Sequence, residues 1–314
     1  MKVLFATDGS KHDLQARDFV ASAPWAARTE IELFGVMRPV GLAVTGDLVD
    51  RNARDFEHEL DHLAICLPQR DCTVTWRTAV GEPANEITAR ARAIGADLIV
   101  VGSRGRGPLA TSILGSVSAG VIDRATCPVL VARRGEVKRI VLADDGSAGA
   151  AAAAELLDRW PIFADASLQV VSVVDVGRPL LAADETPMFF AAGELLYSES
   201  LELERERSHR TVAARAKALA ARPRGIRTSV REGAAADEIL GAAHDFSADL
   251  IVTGSRGETG LARFFAGSVA RRVLLGAKCS VLIARGSAHV AHDRGHPEPL
   301  VAPTAGAPGS AATR

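Results

Sequence analysis

Apolar residues along this chain switch repeatedly between two spacings. Lys2–Thr7 is an apolar run suited to a buried strand, and Asp8-Gly9-Ser10 then turns the chain toward a helix. Ile31–Met37 predicts a second strand, followed by a helix around Asp47–Cys66 whose apolar stripe is Phe56, Leu60, Leu63 and Leu67. Thr73–Ala79 predicts a third strand, and Pro83–Ile94 a helix whose entry proline suits the first turn. Asp97–Val101, Ser116–Arg124 and Pro128–Ala132 complete the series as strand, helix and strand. Strands alternating with helices imply a mostly parallel sheet with right-handed crossovers.

The same plan is then written again. VLFATDGS at 3–10 returns as IVLADDGS at 140–147, which matches Asp8 to Asp145 at an offset of 137. IGADLIVVGSRGRG at 94–107 returns as FSADLIVTGSRGET at 246–259, and ATCPVLVAR at 125–133 as AKCSVLIAR at 277–285, both at an offset of 152. The 15 extra residues of the second copy fall between 174 and 229, as the loop Gly177–Pro187 and a longer charged helix near 194–221. A period this long is a duplicated domain. The expected fold is α/β, two tandem open five-stranded parallel sheets with helices on both faces. Residues 1–135 form one domain and 138–286 the other, and 287–314 read as a disordered tail.

Composition narrows the function. Aromatic residues are only 4% of the chain, so the core is built from Val, Leu, Ile and Ala. A formal net charge of −1 provides no global attraction for nucleic acid or for an anionic membrane. The opening MKVLFATDGS reads as a strand and not as an export signal, and no apolar stretch has the length of a membrane span. The four cysteines form no C-x-x-C pair, so reduced thiols in a cytoplasm are expected.

The candidate chemistry lies in two glycine loops. Gly102-Ser103-Arg104-Gly105 follows the strand DLIVV, and Gly115-Ser116 comes nine residues later. Gly254-Ser255-Arg256-Gly257 follows DLIVT, with Gly267-Ser268 at the same spacing. Glycines at a strand end let backbone N–H groups approach a ligand, and free amides where the next helix starts favour a phosphate. The alternative is that they only turn strand into helix. Asp8 and Asp145 end the first strand of each copy, so each shares a crevice with its glycine loop, while Asp-Gly-Ser can equally cap a helix. Arg104 and Arg256 are either phosphate ligands or solvated loop arginines. His58-Glu59-Leu60-Asp61-His62 matches the helical zinc-protease pattern, but the stripe through Leu60 puts both histidines on the wet face. Cys127 and Cys279, each just before a strand, read as small core residues.

Taken together, ATDGS, VGSRGRG, LGSVS and CPVLVAR resemble the universal stress protein family in its ATP-binding branch, over two tandem domains from 1 to about 286. The resemblance implies ATP with Mg2+ as ligand. Asp8 and Val36 would touch adenine or ribose, and Gly102, Gly105, Gly115, Ser116 and Ser118 would hold ribose and phosphates. The second-copy matches are Asp145, Val173, Gly254, Gly257, Gly267 and Ser268. Ala270 stands where the first copy has Ser118, and Asp144 where it has Thr7, which marks the first site as the stronger. Family members pair their last strands, so Val129–Ala132 and Val281–Ala284 are expected to meet as an intrachain pseudo-dimer, with homodimerisation of the whole chain left open. The implied role is a cytoplasmic ATP-binding stress-response regulator whose nucleotide state alters conformation or the choice of a protein partner. The alternatives are a weak ATPase, a zinc peptidase, and an interaction module with vestigial loops.

Overall fold

A computed structural model of the chain describes every residue outside 11–12, 40–45, 68–71, 104–113, 177–186, 221, 223–224, 256–266 and 286–314, with 46–52 and 187–196 described as backbone. The expected tail and most of the loop before Pro187 lie outside the described residues. The first half runs β1 (Lys2–Thr7), α1 (Leu14–Ser22), β2 (Thr29–Met37), α2 (Gly46–Cys66), β3 (Cys72–Val80), α3 (Pro83–Ile94), β4 (Leu98–Gly102), α4 (Ser116–Arg124) and β5 (Val129–Ala132). The second runs β6 (Arg139–Ala143), α5 (Ala148–Arg159), β7 (Ser167–Val174), α6 (Pro187–Ala218), β8 (Ile226–Glu232), α7 (Ala235–Asp245), β9 (Leu250–Gly254), α8 (Ser268–Gly276) and β10 (Ser280–Ala284).

Within each half all neighbouring strands are parallel. The halves meet edge to edge, because β10 pairs antiparallel with β5, giving one ten-stranded sheet ordered β3-β2-β1-β4-β5-β10-β9-β6-β7-β8. Leu130 lies opposite Leu282, its own equivalent in the repeat. A local twofold therefore passes between them, as in an isologous dimer interface.

Alternation along the strands divides the core into two layers. Val3 and Phe5 pack under α1 and α2 with Phe19, Val20, Leu63 and Leu67. Leu4 and Ala6 pack under α3 and α4 with Ile87, Ala91, Val121 and Ile122. Each layer runs without a break into the second half, through Leu130 and Leu282 on one face and Val131 and Val281 on the other. Gly35 makes room for α2, since a Cβ there would lie 2.4 Å from the Phe56 ring. In the second half the equivalent pair is Ser172 and Ser208, both buried.

The long charged helix begins earlier than 194. Pro187 opens α6, a position where its missing N–H costs nothing, and the helix reaches 32 residues against 21 in α2. Its stretch before 194 is apolar and carries no polar stripe, so periodicity alone did not reveal it. Among the described residues no helix is long and apolar enough to cross a membrane.

Candidate functional site

In each half the strand order reverses between two neighbouring central strands. From β1 the chain passes to α1 on one face, and from β4 it passes to α4 on the other. A crevice at the carboxyl ends of β1 and β4 follows from that geometry, and β6 with β9 repeats it.

Asp8 follows β1 directly, and its Oδ1 accepts the Ser10 amide at 2.9 Å. Asp145 accepts the Ser147 amide at 3.0 Å in the same way. Both aspartates thus hold the turn that leaves the strand. Gly102 ends β4, and its carbonyl accepts the Ser118 hydroxyl at 2.7 Å, tying the strand end to the first turn of α4. Ser118 is buried, and Ala270 occupies the same place in α8 without that tie.

Gly115, in extended conformation, and Gly267 take the N-cap positions of α4 and α8, and neither helix has a side-chain cap. Glu82 caps α3 and Ser147 caps α5, whereas α1 and α7 also start without a side-chain cap. The Gly115 amide donates to the Ser103 carbonyl at 2.8 Å and the Gly267 amide to Ser255 at 2.7 Å, so each loop is closed at its base. The amides of the next three residues have no partner within the helix, which is a general property of a helix start. Ser116 and Ser268 are exposed there. Val36 and Val173 are half-buried near the ends of β2 and β7 and pack toward the same sheet face as α4 and α8. Arg104, Gly105, Arg256 and Gly257 lie outside the described residues.

Gly254 has a packing reason of its own. A Cβ there would sit 2.6 Å from the backbone carbon of Gly149, at the start of α5. Only glycine lets that helix approach so closely.

The electrostatics at the strand ends correct one expectation. Asp144 does not confront a ligand with uncompensated charge. Its side chain is 0% exposed, with Oδ2 2.6 Å from Nε of Arg215 on α6 and Oδ1 accepting the Gly146 amide at 2.9 Å. The first half solves the same position differently. Thr7 stands there, its hydroxyl donating to Asp13 Oδ2 at 2.7 Å, and the Asp8 amide donates to the same oxygen at 3.0 Å. Burial, with the Asp8 charge adding to it, pushes the Asp13 carboxyl up to about 7. Asp13 and Arg215 were missed in the sequence because each gains meaning from a partner on another segment. The one signal was that Asp144 and Ala150 exchange polarity with Thr7 and Asp13.

His58, Glu59 and His62 are exposed; the two histidines lie on the far side of α2 from buried Leu60, while Glu59 flanks the buried stripe with its carboxylate beside Gly9. They line a groove of about 520 Å³ with Gly9, Arg17 and Asp55. Among the described residues no three His, Cys, Asp or Glu side chains are grouped to hold a metal ion. Burial raises the Cys127 thiol to about 11 and raises Cys279 in the same direction, which keeps both protonated and poorly nucleophilic.

Comparison with known proteins adds the lineage. A model of the universal stress protein family matches residues 1–133 and again 136–285. A universal stress protein of Methanocaldococcus jannaschii is 35% identical over 157 residues, 49% of this chain and 87% of that protein. One from Bacillus subtilis is 32% identical over 145 residues, 42% of this chain and 98% of its own length. The crystal structure of a universal stress protein from Archaeoglobus fulgidus shares the fold with a TM-score of 0.63 at 19% identity, over 91% of this chain and 98% of that one.

Proposed function

The chain belongs to the universal stress protein family, and we propose that it is a nucleotide-responsive regulator of a cytoplasmic stress response that binds ATP with magnesium in each half. The observation that carries this reading is the pair of uncapped helix starts at Gly115 and Gly267, both at the strand-order reversal. Uncapped first-turn amides and the positive end of the helix dipole suit a phosphate chain. Ser116 and Ser268 would add hydroxyl donors to the phosphates, and Arg104 and Arg256 a charge on each loop. Asp8 and Asp145 would face the ribose, with Val36 and Val173 against the adenine. Magnesium would accompany the triphosphate and neutralise part of its charge.

Calorimetric titration of Mg-ATP tests this directly. The parent chain is expected to bind two nucleotides, and Gly115→Glu or Gly267→Glu, each placing a carboxylate at the phosphate position, to bind one. A parent that binds none overturns the proposal. Arg215 neutralises Asp144 in the second half, so the difference that remains between the two sites is the Ser118 tie, which Ala270 lacks.

A second reading is favoured by two specific contacts. Gly254 is accounted for by Gly149, and the Ser118 hydroxyl already donates to Gly102. An interaction module that has kept these loops for packing alone would show no shift in melting temperature with ATP.

A further inference from the structure

The strand junction carries a reciprocal pair of arginines. Arg133 leaves β5 and Arg285 leaves β10, at equivalent positions of the repeat. Arg133 crosses to the second half, donating from Nη2 to the Leu274 carbonyl at 2.8 Å and from Nη1 to Cys279 at 3.3 Å. Its backbone amide donates to the buried Ser280 hydroxyl at 3.0 Å. Arg285 crosses the other way and donates from Nη2 to the Ile122 carbonyl. Ile122 and Leu274 are themselves equivalent, each in the last turn of α4 or α8. Carbonyls there have no intrahelical partner, and a guanidinium at the negative end of the helix dipole is favourable.

These helices are the ones whose opposite ends carry Gly115 and Gly267. Each is nine residues long, about 13 Å of rigid rod. The contact sequence continues behind the arginines as well. The Ala284 carbonyl, one residue before Arg285, accepts the Ser255 amide at 2.9 Å, and the Ser255 carbonyl accepts the Gly267 amide at 2.7 Å. In the first half Ala132, one residue before Arg133, pairs with Gly102, and the Ser103 carbonyl accepts the Gly115 amide at 2.8 Å. An unbroken series of hydrogen bonds and covalent links therefore leads from the loop base of one half, through its arginine, to the helix that serves the loop of the other.

We propose that Arg133 and Arg285 are positioning residues for the phosphate helix of the opposite half, so that the two sites are coupled across the β5–β10 junction. The ligand in this statement rests on the nucleotide reading above; the mechanical link does not. The coupling arises because a helix nine residues long moves as one body, so releasing its carboxyl end frees its amino end.

Two measurements test it. In a Gly267→Glu chain, which keeps only the first site, Arg285→Met is expected to weaken Mg-ATP binding about fivefold or more, and Arg133→Met to change it less than about twofold. In a Gly115→Glu chain the two arginines exchange roles. An arginine that affects only the site of its own half, or neither site, overturns the proposal. Hydrogen exchange on the nucleotide-free chain supplies the second measurement. Arg285→Met is expected to speed exchange of the Gly115 and Ala119 amides, and Arg133→Met that of Gly267 and Arg271. Exchange that changes only in the last turns, at Val121–Arg124 or Val273–Gly276, would show simple fraying and overturn it. If the parent binds no ATP, the nucleotide reading fails and exchange alone decides the link. Should Arg285→Met not fold, Arg285→Lys, which keeps the charge but not the fork, supplies the same comparison.

Discussion

Asp13 places a carboxyl where burial and the neighbouring Asp8 both oppose its charge. Its folded value of about 7 stands above the unfolded 3.8, so the folded state holds the proton more tightly. The stability this group contributes is complete at low pH and is lost as pH rises from about 4 through 7. Asp13→Asn cannot titrate, so its stability relative to the parent is expected to rise between pH 5 and pH 8, by up to about 3 kcal/mol. Urea unfolding at the two pH values measures it, and an equal difference at both would refute it. Gly254 makes a contrasting case at the same scale, since its constraint is steric. Gly254→Ala pushes a methyl into the Gly149 backbone and is expected to cost about 1–3 kcal/mol, read as a lowered denaturation midpoint in the absence of any ligand.

The two crossover helices show how one element diverges after duplication. In the first half α2 lays Leu63 against the core, and Thr7 and Asp13 occupy the strand end. In the second, α6 brings Arg215 to the equivalent place, and the polarity inverts to Asp144 and Ala150. The exchange is coherent only as a set. Arg215→Leu leaves a buried carboxylate without its cation and is expected to destabilise by about 3 kcal/mol or more. Asp144→Thr combined with Arg215→Leu removes both charges at once, leaving no buried carboxylate without its cation, and should recover most of the loss. A double-mutant cycle by urea denaturation measures the coupling, and strictly additive effects would show that the ion pair does not act as a unit. Helix boundaries themselves were legible: α3 and α4 begin and end where Pro83–Ile94 and Ser116–Arg124 place them. The start of α6 was not, because its first turns are apolar all round and periodicity has nothing to report there.

On the scale of the whole molecule, the antiparallel pairing of β5 with β10 turns two sheets into one and leaves both core layers continuous. The chain is accordingly expected to unfold in a single transition monitored by fluorescence and far-UV circular dichroism alike. Leu130→Asp puts a charge on the local twofold, against Leu282, and is expected to split that transition into two. Two separate transitions in the parent would mean that the junction carries little of the stability.

The amino-acid sequence by itself determined the alternation of strands and helices, the duplication, and the placing of both glycine loops at strand ends. Those features are written in local spacing, where each residue's period decides its face. It also carried the resemblance through which last-strand pairing was expected. Only the tertiary structure decided the register that sets Leu130 on Leu282, the neutralisation of Asp144 by Arg215, the close approach that demands Gly254, and the crossing of Arg133 and Arg285. Each of these joins residues far apart in the chain, and burial or a hydrogen bond between them has no local periodicity to announce it.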